Sequence, residues 1–295
     1  MPFKYKTKPY EHQKEALFKS FARDNYAYFM EMGCGKSKVL IDNITWLYEN
    51  KHIDTAIIIA PKGVYMNWKN SEIPTHLPDD IPKNVYVWKA SANKTEKAIL
   101  EEGVKTRDKL RILLVNVEAF ATAKVLKYLE AFIHRSNFML AVDESTTIKN
   151  IKAKRTKAIL KLGQSAKYKR ILTGSPITQS PMDLYTQCYF LDKDLLGFDS
   201  YWSFQGRYAV IRQTRIGNHS FQQIVGFRNL EELTDKLHRF AYRVTKEQAL
   251  DLPEKIYTTR QVNLTSDQIK HYNSMKDSAV AFLDGGDLVS APEVM

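Results

Sequence analysis

Between Met30 and Ser37 the chain reads Met-Glu-Met-Gly-Cys-Gly-Lys-Ser, with an apolar run before it and helical spacing after it. Those residue types at that spacing suit phosphate. Gly33 and Gly35 let backbone N–H groups turn inward around a β-phosphate, Lys36 reaches the β- and γ-phosphates, and the Ser37 hydroxyl can ligate Mg2+. The start of the helix adds the positive end of its dipole. Met30 stands where the strict pattern G-x-x-x-x-G-K-[ST] has its first glycine, so the pattern as written misses this stretch. The plain alternative is a glycine-rich turn with Lys36 as a solvated cation. Cys34 could be a redox-sensitive thiol at a helix start, and its plainer reading is a side chain that fits.

A phosphate loop also needs a carboxylate at a nearby strand end, and Phe138–Val142 runs into Asp143-Glu144-Ser145-Thr146. Asp143 would hold Mg2+ through water, and Glu144 would orient or deprotonate the water that attacks the γ-phosphate. Solvated acids are common at strand ends, and it is the loop that gives this pair its meaning. Leu172-Thr173-Gly174-Ser175-Pro176 closes another apolar run with two hydroxyls, and Gln13 carries the donor and acceptor needed to read an adenine edge. Taken alone, these are an ordinary turn and an ordinary surface glutamine.

The elements that must position these groups can be read from periodicity. Apolar, β-rich runs lie at 26–30, 55–60, 85–88, 111–115, 138–142 and 170–173, mostly too continuous for a strand with one wet face. Helical spacing lies at 37–48, 123–133, 154–162 and 182–191. Alternating strands and helices predict an α/β fold with a mainly parallel sheet flanked by helices. Beyond Asp192 the rhythm stops: 208–227 reads as a hairpin around Ile216-Gly217-Asn218-His219, and 229–240 as a helix capped by Asn229. After Pro253, 255–262 reads as a strand, 266–283 as a helix opened by Ser266-Asp267, and 284–295 as a loose end.

With 295 residues, 44% hydrophobic and 26% charged, the chain can bury a core and is neither collagen-like nor wholly disordered. No apolar run is long enough for a bilayer, and the start has no signal-peptide core, so membrane insertion and secretion are not expected. Two cysteines without metal-ligand spacing fit a reducing compartment. A net charge of +11 makes polyanions the favoured partner class. Lys149, Lys152, Lys154, Arg155, Lys157, Lys161, Lys167, Lys169 and Arg170 fall in a stretch, 145–170, without one acidic residue. Such a run can track a nucleic-acid backbone or simply be a solvated helix face.

The ordered set resembles the first RecA-like lobe of superfamily-two helicase-like ATPases, and most closely the Swi/Snf-type double-stranded DNA translocases. Pro9-Tyr10-Glu11-His12-Gln13 resembles the glutamine motif, Glu31–Ser37 motif I, and Ile59-Ala60-Pro61-Lys62 with Trp68 motif Ia. Asp143–Asn150 resembles motif II, and Leu172–Ile177 motif III, which Asp183-Leu184-Tyr185 continues. His238–Lys246, then Leu252-Pro253-Glu254-Lys255, resembles the segment that joins the family's two lobes.

The resemblance implies a RecA-like P-loop lobe at 1–192, a hairpin and helical extension at 193–262 leading to the inter-lobe segment, and at 263–295 the start of a connection to a second RecA-like lobe. It implies ATP and Mg2+ as cofactors, with Gln13, Met32, Gly33, Cys34, Gly35, Lys36, Ser37 and Lys38 around the nucleotide. Catalysis would rest on Lys36, Asp143 and Glu144, with the metal on Ser37 and Asp143. Lys62, Asn67, Trp68, Asn116, Lys149, Thr173 and Ser175 would face double-stranded DNA. Arg207, Arg212, Arg215 and Arg228 around the hairpin would grip duplex or pack on the second lobe.

Three departures stand out: Thr146 replaces the histidine thought to bridge motifs II and III, Ser175 replaces a threonine, and the acid after Trp68 comes one residue late, at Glu72. The second lobe, in the same longer chain or a partner, would bring the arginine finger, so these residues alone should bind ATP and hydrolyse it weakly. A strand-separating helicase, a restriction-type translocase subunit, and a nucleotide-gated DNA-binding module without turnover remain open readings. The expected setting is the cytoplasm of a bacterial or phage-infected cell, or a nucleus if the host is eukaryotic.

Overall fold

The computed structural model describes residues 3–216, 219–251, 256, 258–278, 280–282 and 288–290. In chain order the elements are α1 (Glu11–Ser20), β1 (Asn25–Met30), α2 (Lys36–Glu49), β2 (Thr55–Ala60), α3 (Tyr65–Asn67), α4 (Ile73–His76), β3 (Lys83–Val87), α5 (Lys94–Lys105), β4 (Leu110–Asn116), α6 (Ala123–Ile133), β5 (Phe138–Asp143), α7 (Lys154–Gly163), β6 (Tyr168–Leu172), α8 (Asp183–Leu191), α9 (Tyr201–Tyr208), β7 (Ala209–Ile216), β8 (His219–Phe227), α10 (Leu230–His238), β9 (Ala241–Val244), α11 (Lys246–Ala249), α12 (Ser266–Ser278), β10 (Val280–Phe282) and β11 (Leu288–Ser290). They form two compact units, Met1–Asp251 and Leu252–Met295. Among the described residues no helix is long and apolar enough to cross a membrane.

The first unit is an α/β layer structure on a seven-stranded sheet ordered β3-β4-β2-β5-β6-β1-β9, with every neighbouring pair parallel. β2 (TAIIIA) and β5 (FMLAVD) are buried along their whole length, as continuous β-branched and apolar runs require when helices cover both faces. Two apolar clusters, one on each face, make the core: Phe29, Ile57, Leu113 and Leu140 belong to one, and Tyr28, Ile58, Leu114 and Ala141 to the other. Alternate residues of each strand thus serve opposite faces.

All six sheet strands read from the sequence are present. The seventh, β9, lies in the stretch expected only to join lobes, and it pairs with β1 from Ala27↔Ala241 to Met30↔Val244. Helices α1, α5 and α9 were not foreseen, although α5 carries a reciprocal cap in which Asn93 Oδ1 accepts from Glu96 N and Glu96 Oε2 accepts from Asn93 N. The hairpin expected at 208–227 is β7–β8, and Gly217 and Asn218 lie outside the described residues. Asn229 does precede α10, but in a left-handed conformation, and its Nδ2 donates to the Arg207 carbonyl at 2.9 Å instead of its side chain capping the helix.

The second unit differs from expectation. Ile256 and residues 258–262 are not in a strand, and the remainder of 252–257 lies outside the described residues. The helix ends at Ser278, not 283, and its reciprocal cap is Thr265 with Gln268, not Ser266-Asp267. Residues 280–282 and 288–290, expected as helix and loose end, form the antiparallel pair β10–β11.

Candidate functional site

In a parallel sheet the loops at the carboxyl ends of the strands share one edge, where ligands of open α/β sheets bind. β1 pairs with β6 and β6 with β5, so the loop after β1, the turn after β6 and the turn after β5 are neighbours. The candidate phosphate loop, the Thr173 turn and the acidic pair therefore meet because of strand order, which the sequence pattern did not give.

The loop turns on two glycines, Gly33 at φ +88° and Gly35 at φ +80°, and a Cβ on Gly35 would lie 2.2 Å from Gln13 Nε2. Only glycine accommodates both the left-handed backbone and that approach. Lys36 and Ser37 open α2, so both stand where backbone N–H groups lack intrahelical partners. Gln13 is buried and its amide props the loop: Nε2 donates to the Cys34 carbonyl at 3.2 Å and Oε1 accepts from Tyr10 N at 3.0 Å. It does not present the open amide edge expected for reading adenine. His12 Nε2 also contacts the Cys34 carbonyl, at 2.9 Å. Cys34 is buried, and burial, then the Glu31 charge, pushes its thiol pKa up, which agrees with a packing role.

Two of the residues expected around a nucleotide are placed differently from each other. Met32 is exposed beside the loop. Lys38 turns away from it into the protein, where its ammonium pairs with Asp42 at 2.8 Å and lies 5.1 Å from the Tyr5 ring centre. One step past Ser37 on a helix, its side chain points to another face, which corrects its expected contact with the nucleotide. Burial pushes the Asp42 carboxyl up to about 6 against the opposing pull of Lys38.

Asp143 ends β5 and is buried, with both oxygens held: Oδ2 accepts from Trp68 Nε1 at 2.9 Å and Oδ1 from Glu144 N at 3.0 Å. Burial pushes its pKa up to about 6; the Trp68 bond opposes this and the Glu144 charge adds to it. Glu144 adopts a left-handed backbone, φ 46° and ψ 61°, a conformation costing a non-glycine residue roughly 1–2 kcal/mol. Its Oε2 accepts a hydrogen bond from Thr173 Oγ1 at 3.2 Å. Gly174 completes the junction, since a Cβ there would stand 3.1 Å from Met32 N of the loop.

The donor set suits a Mg2+ ion. Ser37 offers a hydroxyl, Asp143 a carboxylate whose ionisation is disfavoured until a cation arrives, and no group of three or more His, Cys, Asp or Glu is placed to hold a metal among the described residues. Mg2+ in nucleotide sites takes few protein ligands and fills its shell with phosphate and water.

The residues expected at the DNA face divide. Lys62, Asn67 and Ser175 are exposed, and Asn116 is half-buried near the strand ends. Asn67 Nδ2 donates to Glu72 Oε1 at 3.1 Å, and the extra residue before that acid is taken up by a π-helical turn at Trp68–Glu72. Trp68 and Thr173 are 1% exposed and hydrogen-bond to Asp143 and Glu144, so both belong to the acidic turn and not to a DNA surface. Lys149 Nζ bonds Thr178 Oγ1 at 2.6 Å and pairs with Asp183 at 3.4 Å. Arg170 leaves the basic run altogether: it is fully buried and donates to Asn43 Oδ1 and to the carbonyls of Ser20, Arg23 and Asp24.

Sequence reading missed the buried Ser145–Gln187 hydrogen bond, 2.6 Å long, and, having set Lys246 in a lobe-joining segment, did not foresee its place beside the loop, where its Cε would be 3.4 Å from a Gly33 Cβ and its N donates to Glu31 Oε2 at 2.9 Å. A glutamine in the middle of Asp183–Leu191, between the apolar positions Leu184 and Leu191, was the one available signal for the first.

The SNF2-related domain pattern matches residues 25–292. The chain is 26% identical over 268 residues to the uncharacterized ATP-dependent helicase MG018 of Mycoplasma genitalium, covering 90% of this chain and 23% of that protein. To the DNA annealing helicase and endonuclease ZRANB3 of Bos taurus it is 27% identical over 277 residues, covering 93% and 24%. The Sulfolobus solfataricus SWI2/SNF2 ATPase core in complex with double-stranded DNA shares the fold, with a TM-score of 0.62 at 24% identity over 94% of this chain and 55% of that one. The chain thus spans about a quarter of the length of these curated relatives and about half of the solved core. A match that runs from β1 to beyond β11, on a parallel sheet shared with the solved core, leads to one assignment: the chain belongs to the SNF2-related domain family of helicase-like ATPases.

Proposed function

We propose that this chain is the ATP-binding lobe of a motor that translocates on double-stranded DNA while hydrolysing ATP to ADP and phosphate. The observation that carries this reading is the meeting of the Gly33–Ser37 loop, the Asp143–Glu144 turn and the Thr173 turn at adjacent parallel strand ends. Loop amides and Lys36 would bind the phosphates. Glu144, steadied by Thr173, would orient the attacking water and hold its proton at Oε2 or Oε1. Ser37 and Asp143 would hold Mg2+, which when bound neutralises charge on the β- and γ-phosphates.

On this reading residues 1–192 carry the nucleotide site, 193–262 lead toward the inter-lobe segment, and 263–295 begin a connection to a second RecA-like lobe in the same longer protein or a partner. That lobe would supply an arginine finger worth a factor of roughly 10³ to 10⁵ in rate, so these 295 residues alone should turn ATP over weakly. Duplex DNA would run across the strand ends near Lys62, Asn67, Asn116 and Ser175. The relatives named for helicase activity, and the solved core bound to double-stranded DNA, support this class of partner.

The test is ATP turnover with and without duplex DNA, alongside a strand-displacement assay. Turnover stimulated by duplex, without displacement, and lost in both Lys36→Ala and Glu144→Gln supports translocation. Displacement of a strand favours a true helicase, and nucleotide binding with no turnover even when a second lobe is supplied favours a nucleotide-gated DNA-binding module.

A further inference from the structure

Gln187 lies fully buried on α8, 42 residues along the chain from its partner Ser145. Its amide oxygen accepts a hydrogen bond from Ser145 Oγ at 2.6 Å, and its Nε2 donates to the carbonyls of Pro176 at 2.8 Å and Asp183 at 2.9 Å. A buried amide is tolerated only when satisfied in this way, and a leucine of similar volume would pack α8 as well. The amide does what packing alone does not: it fastens two separate turns to one helix. Ser145 follows the left-handed Glu144, and Pro176 follows the Thr173 turn. Asp183, one turn back on α8, holds the far side of that second turn by accepting from Thr178 N, Thr178 Oγ1 and Gln179 N at 3.0, 2.7 and 2.9 Å.

We propose that Gln187 is a positioning residue for ATP hydrolysis: through Ser145 and the Pro176 carbonyl it locks the turn after β5 to the turn after β6, and so fixes the Glu144 carboxylate against Thr173. Ser145 and Gln187 thereby supply, from the neighbouring position, the bridge that the resemblance assigns to a histidine at residue 146. The inference rests on the reading of Glu144 as the residue that handles the attacking water. Gln187 touches no reacting atom and acts through Ser145.

The experiment compares Gln187→Leu, Ser145→Ala and their combination, each checked for a cooperative thermal transition. Two readouts are taken: ATP turnover with duplex DNA, and the fluorine resonance of Trp68 in protein labelled with 5-fluorotryptophan. Trp68 bonds Asp143 directly and so reports on the acidic turn, and its signal is assigned among the four tryptophans with Trp68→Phe. Each single variant is expected to lose about tenfold in kcat with KM for ATP within about twofold, and the double variant to be no worse than the poorer single. The Trp68 resonance moves in both, while those of Trp46 and Trp88 stay.

Additive losses, a change in KM instead of kcat, or a moved resonance with unchanged kcat would overturn the proposal. If wild-type turnover is too slow to divide, the resonance decides alone, and an unmoved Trp68 signal in both single variants contradicts it. Failure of the ATPase reading is seen separately, as turnover that Glu144→Gln does not reduce.

Discussion

Asp143 is a carboxylate that the fold has made reluctant to ionise, and Asp42 is a second, each pushed up to about 6 mainly by burial. A folded pKa raised above the unfolded value means that the native state binds the proton more tightly. The resulting stability is complete below about pH 4 and is lost as pH rises through about 6. For Asp143, a shift of about two units corresponds to roughly 2–3 kcal/mol. In urea unfolding of the nucleotide-free protein, the stability of wild type relative to Asp143→Asn should therefore fall between about pH 4.5 and 7, while the lowered His76 pKa acts in the opposite sense on both proteins alike; a relative stability that rises across this window contradicts the assignment. Gly35→Ala tests the loop. With a Cβ forced to 2.2 Å from Gln13 Nε2 at φ +80°, it should lower stability by about 1–3 kcal/mol and weaken ATP binding about tenfold or more, measured by denaturant titration and calorimetry. Lys36, Ser37, Asp143 and Glu144 could be singled out because they stand in adjacent positions of the sequence, and strand order brings the two groups to neighbouring strand ends. Lys38, Trp68 and Thr173 lie away from the places the resemblance implied because the fold gives their side chains other partners: Lys38 turns to Asp42 on its own helix, Thr173 to Glu144, and Trp68 to Asp143, 75 residues away.

The strands at the centre of the sheet were readable because burial on both faces leaves unbroken apolar runs such as Ile57-Ile58-Ile59. β9 was not, since Ala241-Tyr242-Arg243-Val244 is short and carries an exposed arginine at an edge. Strand order was closed to the sequence for a different reason: every strand here is apolar enough to pair with any other. Arg170 shows how an element-level joint hides in a charge run. Its guanidinium ties β6 to the end of α1, the approach to β1, and Asn43 of α2. Arg170→Met would leave several buried carbonyls and an amide oxygen without a donor, and is expected to destabilise by about 3–5 kcal/mol, with Arg170→Lys recovering little because it lacks the planar fork. Lys157→Ala, on the exposed side of α7, should change stability by less than about 0.5 kcal/mol. Equal losses in a urea titration would refute this contrast.

Taken whole, the first unit gathers a nucleotide-type edge and a basic helix onto one α/β lobe with a family match along nearly its entire length. With Arg170 removed from the basic run, the exposed Lys152 and Lys154 at the start of α7 are the better candidates for a polyanion. Replacing both with glutamate should weaken duplex binding about tenfold and flatten its salt dependence by about two phosphate contacts, with ATP affinity unchanged; an unaltered salt slope in a fluorescence-anisotropy titration would remove α7 from the DNA surface. The central claim is that the Gly33–Ser37 edge is an ATP site, and calorimetric titration of the 295-residue chain with Mg·ATP tests it most directly. Saturable binding is expected in wild type and in Glu144→Gln, with a loss of about tenfold or more in Lys36→Ala. No binding by the wild type, or binding that Lys36→Ala leaves untouched, would contradict it.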